Sequence, residues 1–210
     1  MWALVESNNV TQVYARPKGL TIGDVNYPSN IFMLWSSSEL EAIGIYEVVV
    51  DNTNLKDKEY YINTNQSFAF KSSVTINSID YTNVVVASYG TATALPLDDV
   101  LWQDGESGRP EGVSVGDVKT PGIRQGHIDA INAQAGGNLA PTDWMVVRAA
   151  EGGTAVPSSI TTQRAAVRTK ANAMCTQITN AANVDALAAL YEYNDATPPV
   201  RPLGELPTVG

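Results

Sequence analysis

Two side chains in this 210-residue chain have the chemistry for nucleophilic or acid–base work near neutral pH: His127, its single histidine, and Cys175, its single cysteine. An imidazole changes charge in the physiological range, and a thiolate is a strong nucleophile. A Ser–His–Asp or Cys–His site would have to use them, yet neither is flanked by a nucleophile elbow or a papain-type signature. His127 sits at the edge of an Ile128/Ile131 face and Cys175 lies in an Ala-rich run, so both are expected as packing residues. One cysteine also forbids an internal disulfide and a thiolate metal cluster. A hard cation would fall to Asp98-Asp99 or Asp104/Glu106, whose spacing does not match an EF-hand loop; these read as solvated charges. Gly105-Glu-Ser-Gly-Arg109 lacks the spacing and the lysine of a phosphate loop. Two distant acids can meet in space as a glycosidase pair, but a small β unit rarely houses such a cleft. No enzymatic activity, metal or cofactor is expected.

The remaining charged cluster is basic. Arg148, Arg164, Arg168 and Lys170 gather in the back half of a chain whose net charge is −9. They would form a docking face toward another subunit, or pair locally with Asp143 and Glu151. The acidic balance excludes a duplex nucleic-acid partner, since phosphate binding needs a basic surface. It also disfavours an anionic membrane surface. The opening residues have no basic segment ahead of an apolar run, and no stretch approaches a membrane span; neither a secretory leader nor membrane insertion is expected.

The elements that position these residues fall into two textures, predicting an α+β fold. Residues 1–93 read as a β-rich module, beginning with a hairpin over 2–14 turned at Ser7-Asn8-Asn9. Ile31-Phe-Met-Leu-Trp35 reads as a buried strand, and Ser38-Glu-Leu-Glu41 as a capping box opening a short helix that ends at Gly44. Tyr46–Val50, Ser67–Lys71, Val74–Ile76 and Val84–Ala87 read as further strands, with Phe68 and Phe70 on one face. All three Phe and seven of the nine Tyr precede residue 90, which marks this half as a separate aromatic core. Residues 94–120 read as a linker or extended connector, which Leu95, Leu97, Leu101 and Trp102 pin to a neighbour within the chain or across an interface.

Residues 121–196 read as a helical docking domain. Pro121 suits a first helical position, the pattern breaks at Gly136-Gly137, and Thr142 is placed to cap a helix running to Ala150. The longest helix spans roughly 160–181. Ile160, Val167, Ala171, Met174, Ile178 and Ala181 recur along it at alternating four- and three-residue steps. That stripe is expected to pack against a partner helix, with Arg164 in its one polar slot and Arg168 a turn further on. A short helix over 184–191 follows. Residues 197–210, with Pro198, Pro199, Pro202 and Pro207, read as an extended arm ordered only by lying on something else.

Three stretches together resemble bacteriophage tail proteins of the tail-fibre and tail-fibre-assembly kind. They are Met1–Val10 with Gly23–Asn30, then Ile123–Asn132, and then Leu139-Ala-Pro-Thr-Asp-Trp-Met-Val-Val-Arg148 with Thr154–Pro157 and Arg164-Ala-Ala-Val-Arg168. The resemblance implies a structural part of the tail: a fibre, fibre adaptor or baseplate-associated protein, made in the host cytoplasm and carried in the virion. Its implied partners are other tail or baseplate proteins and copies of itself, as a homotrimer or other homo-oligomer. A fibre-assembly chaperone not retained in the virion, or a module binding a host surface glycan through Trp2, Trp35, Tyr60 or Tyr61, are the alternatives. The chain has no internal repeat and no sustained heptads, which favours a small adaptor over a full-length shaft. Ile160, Val167, Ala171, Met174, Ile178, Arg164, Arg168, Trp102, Pro198 and Pro199 are the residues expected at the interface.

Overall fold

In the computed structural model, which describes residues 1–208, Ser7 and Asn8 take left-handed backbone (φ 50° and 65°). That two-residue turn matches the twist of the strands it joins, β1 (Trp2–Glu6) and β2 (Asn9–Tyr14). The chain continues through β3 (Leu20–Ile22), β4 (Val25–Tyr27), α1 (Ile31–Leu34), α2 (Ser37–Ala42), β5 (Ile45–Asp51) and β6 (Tyr61–Ile62). A second left-handed pair, Asn77-Ser78, turns β7 (Ser67–Ile76) into β8 (Ile79–Ser88), and β9 (Thr93–Ala94) follows. Next come β10 (Val100–Leu101), β11 (Val118–Thr120), α3 (Ile123–Leu139), a 3-10 turn (Ala140–Thr142), α4 (Asp143–Ala150), α5 (Ser158–Asn180) and α6 (Val184–Ala189). The fold is α+β, and the chain divides into Met1–Thr93 and Ala94–Gly210.

In the first unit the five strands of the main sheet run β2-β1-β5-β8-β7 among the described residues. Its β5–β8 pair is parallel, with Val48 opposite Val85, and its other neighbours are antiparallel. The two edge strands, β2 and β7, approach each other, so the sheet curls. Its inner face packs Ala3, Val48, Val85 and Ala87 with Val13, Tyr46, Phe68 and Phe70. Phe68 and Phe70 share that face, as their alternation requires. The other face buries Leu4 and Ile45 under Phe32 and Leu40 of the two short helices, with Tyr14 and Leu20 alongside. Gly44 takes φ 82° at the end of α2, and a Cβ there would stand 3.0 Å from the Val5 carbonyl oxygen.

Two local expectations are corrected here. Ile31-Phe-Met-Leu34 is a helical turn and not a strand: Ile31 and Phe32 are buried while Met33 and Leu34 face solvent. A single apolar run cannot tell the two apart. The capping box is real but lies two residues earlier. Ser36 accepts from the Glu39 amide, and the Glu39 carboxylate accepts from the Ser36 amide at 2.7 Å.

In the second unit the expected linker is folded. β10 pairs with β11, and Trp102 is half-buried with the Lys119 ammonium 4.7 Å from its ring centroid. The Ile123 and Arg124 amides donate to the Pro96 and Leu97 carbonyls, which attaches this segment to the start of α3. Pro121 lies just before that helix, whose N-cap is Gly122; a Cβ on Gly122 would overlap the backbone of Asp98. The helix also runs through Gly136-Gly137 to Leu139. Each glycine costs about 1 kcal/mol in a helix interior, which packing of the opposite face outweighs.

The stripe on α5 is the core of this unit. Val167, Ala171, Met174 and Ile178 are buried, and Ile160 is half-buried at the helix start. A docking role for the four buried residues is corrected: they fill the interior beside α3, whose buried face is His127, Ile131 and Ala135. The Pro-rich arm is ordered by its own unit. Leu203 is fully buried, its amide donates to the Leu190 carbonyl, and its carbonyl accepts from Lys170 Nζ at 2.9 Å. Asn138 holds the Pro207 carbonyl at 3.1 Å. Pro198 and Pro199 are exposed on the return loop, and Val209 and Gly210, the arm's last two residues, lie outside the described residues. Met174→Ala and Ile178→Ala should each lower the stability of this unit by about 2–5 kcal/mol in urea unfolding. An undiminished midpoint in both would mean that the stripe is not core.

Candidate functional site

The two side chains suited to nucleophilic or acid–base work, His127 and Cys175, each have a structural partner. His127 is 9% exposed on α3, and its Nδ1 lies 2.9 Å from the Tyr191 hydroxyl with the two rings 4.9 Å apart. Cys175 is half-buried on α5, its Sγ 3.8 Å from Asn132 Oδ1. Asp98, Asp99 and Glu106 are anchors and not merely solvated charges, while Asp104 is exposed. Asp98 pairs with Arg124, Asp99 accepts from the Gly122 amide, and Glu106 meets Lys119 Nζ at 2.7 Å. No group of three or more His, Cys, Asp or Glu placed to hold a metal ion occurs among the described residues. No helix among them is long and apolar enough to cross a membrane.

Arg124 falls at helix-face spacing with His127 and Ile131 in the sequence, but its partners are visible only in the structure. Its Nε donates to Asp98 Oδ1 at 2.6 Å, and its two terminal nitrogens reach the Ile178 carbonyl (2.7 Å), the Thr179 carbonyl (2.5 Å) and the Ala181 carbonyl (3.0 Å). These carbonyls lie at the C-terminal end of α5, where the Ile178 oxygen also accepts the Ala181 amide and where a cation meets the negative end of the helix dipole. The signal in the sequence was an arginine in the first turn of a helix, where the dipole disfavours it. Arg164 makes the mirror arrangement from α5. It donates to the Leu139 carbonyl at the end of α3 (2.8 Å), to Thr142 Oγ1 (2.6 Å) and to Asp143 (2.7 Å). Thr142 is therefore not a side-chain cap of α4: its hydroxyl donates back to Leu139. Arg164 serves the fold, so its place at an interface is corrected as well.

What stays outside is α4. None of its residues is fully buried; Trp144 and Val147 are each 55% exposed and Val146 is 42% exposed. Arg148 lies over the Trp144 ring, 4.8 Å from the centroid, and accepts the Gly153 amide on its carbonyl. A Cβ on Gly153 would strike Arg148 at 2.8–2.9 Å, so the Gly152-Gly153 turn is shaped around that arginine. The Arg148 Nε is buried with no hydrogen-bond partner among the described residues. Beside it, Val146, Val156, Thr161, Arg164 and Arg168 line an open cleft of about 260 Å3. Arg168 is exposed and makes no ion pair among the described residues, whereas Lys170 is spent on the arm. The basic cluster thus splits: Arg164 and Lys170 hold the unit together, and Arg148 and Arg168 flank an apolar surface.

Comparison of the chain with protein-family models, with curated proteins and with solved structures gave no match to any of them.

Loss of the Arg124 contacts should open the end of α5. Arg124→Gln is expected to cost about 2 kcal/mol in denaturant unfolding, since three helix-end carbonyls lose a charged donor. The Arg124 hydrogen bond holds the Asp98 carboxyl below its ordinary value of 3.8. A lowered folded-state pKa means stability that is complete above 3.8 and lost as pH falls through the folded value. Asp98→Asn should therefore flatten part of the acid limb of stability against pH, and an unaltered limb would exclude this linkage.

Proposed function

We propose that this protein is a structural component of a bacteriophage tail, a fibre, fibre adaptor or baseplate-associated part that works by protein–protein assembly. The observation that carries the reading is the position of Asp143-Trp-Met-Val-Val-Arg148. This run is the strongest point of resemblance to tail proteins, and it forms the one helix of the second unit, among the described residues, that buries no residue fully. A helix whose Trp and Val side chains are not consumed by the core has them available for an outside partner. Arg148 and Arg168 beside that face suit an acidic partner surface. Such parts assemble as homotrimers or other closed homo-oligomers, in the virion after synthesis in the host cytoplasm. No catalytic step and no cofactor enters this function.

The same exposed face fits a second reading, a fibre-assembly chaperone that binds transiently and leaves. Mass spectrometry of purified virions separates the two: a tail component is present in fixed ratio to other tail proteins, and a chaperone is absent. The double variant Trp144→Ser/Val147→Ser should change stability by only about 0.5 kcal/mol, as surface changes do, yet lose its place in the assembled particle. Full incorporation of that variant would exclude α4 as the docking face.

A further inference from the structure

The first unit carries a groove that the assembly reading leaves unused. It has a volume of about 440 Å3, and its walls include Gln12, Tyr14, Lys18, Thr21, Asn26 and Tyr27. The end of β2, the following loop and the β3–β4 hairpin bring these residues together. Two hydroxyls fix the orientation of its amides. The Tyr14 hydroxyl donates to Gln12 Oε1 at 2.9 Å, and Thr21 Oγ1 donates to Asn26 Oδ1 at 2.6 Å. With both amide oxygens engaged, the Gln12 and Asn26 NH2 groups are the ends left to donate.

Lys18 adds a third donor. Its ammonium is 5.3 Å from the Tyr14 ring centroid and makes no ion pair among the described residues. The groove has no carboxylate in its lining, in a chain with 22 acidic and 13 basic residues. Glu6, the one carboxylate whose charge helps to raise the Tyr14 pKa after burial itself, is not part of the wall. Tyr27 is partly buried, edge-on to Trp35 at 5.8 Å, which fixes its ring at the groove. Donor amides, a free ammonium and a fixed aromatic ring suit a ligand rich in acceptors that also bears a negative charge.

We propose that this groove binds an acidic saccharide, with the sugar carboxylate on Lys18, its hydroxyls on the Gln12 and Asn26 amides, and a ring face near Tyr27. The size favours one or two sugar rings over an inorganic ion, since small-molecule sites run to several hundred Å3. The polar wall offers no apolar pocket of the sort that selects a peptide side chain. An open site of this kind binds weakly as a single copy and gains from repetition in an oligomer. The proposal does not depend on a role in a phage tail. If that role holds, the groove is a contact for charged sugars on the host surface.

The test uses the full chain, isotope-labelled, titrated with digalacturonate and with the neutral disaccharide lactose. Digalacturonate should shift the amide signals of residues 12–27 in a saturable way and bind roughly threefold to fivefold more tightly than lactose, the worth of one exposed ion pair. Lys18→Gln should remove that preference, and Asn26→Ala should weaken both sugars. Both side chains are exposed, and circular dichroism checks that the variants fold. Absence of any shift with digalacturonate would overturn the proposal. So would shifts confined to the second unit, equal binding by Lys18→Gln, or tighter binding of an acidic peptide such as tetraglutamate. Virion content does not enter this outcome, so failure of the sugar site and failure of the tail assignment are distinguishable.

Discussion

The helical unit depends on a reciprocal contact between two arginines and two helix ends. Arg124, near the start of α3, holds the last carbonyls of α5, and Arg164, near the start of α5, holds the last carbonyl of α3. The two helices are thereby fixed antiparallel at both ends, with Ile131, Ala135, Val167, Ala171 and Met174 between them. Buried carbonyls at a helix terminus have no intrahelical donor, and a guanidinium supplies up to five N–H groups in a rigid fork. Each arginine also draws in a carboxylate, Asp98 ahead of α3 or Asp143 at the start of α4, which is largely exposed and keeps the pair hydrated. The helix pair then provides a rigid floor. Leu203 of the returning arm docks on it through Lys170, and Asn138 holds the arm further along.

The first unit solves a different problem. A five-stranded sheet leaves two edges that invite pairing with other chains. Curling brings β2 and β7 toward each other and lets Phe68, Phe70 and Tyr46 fill the space between. The opposite face is closed by two very short helices, which add Phe32 and Leu40 rather than a long amphipathic stripe. Such a unit has few residues to spare for a catalytic cleft, but its hairpin loops can present a polar groove. Of the two surfaces with a proposed binding role, α4 buries no residue fully, whereas the groove sits on core residues Tyr14 and Leu20 and adds exposed Gln12, Lys18 and Asn26.

Much of this was legible in the residues themselves. The hairpin at Ser7-Asn8, the alternation of Phe68 and Phe70, the turn at Gly44 and the stripe on α5 all rest on short-range geometry. Asn tolerates positive φ, strands alternate with period two, and helices repeat near 3.6. Where reading failed, the failure was one of partner or of frame. Ile31–Leu34 has the composition of a strand and becomes a helical turn because it is followed at once by the Ser36 cap. The Gly136-Gly137 pair looks like a stop signal, yet α3 continues because the other side of that helix is held.

The sequence by itself determined the two textures, the position of the long helix and the absence of any motif for nucleophilic, metal or phosphate chemistry. These follow from residue type and spacing, which act locally. The tertiary structure decided which apolar surface was already taken. Periodicity places Met174 and Ile178 on one face of α5 but does not say what covers that face. The answer, α3 and its arginine clamp, lies more than forty residues away in the chain. The same holds for α4: the sequence places a short helix there, and only the structure shows that Trp144 and Val147 on it stay more than half exposed. Contacts between segments far apart in sequence made the expected docking stripe into an interior and left the short Trp-bearing helix on the outside.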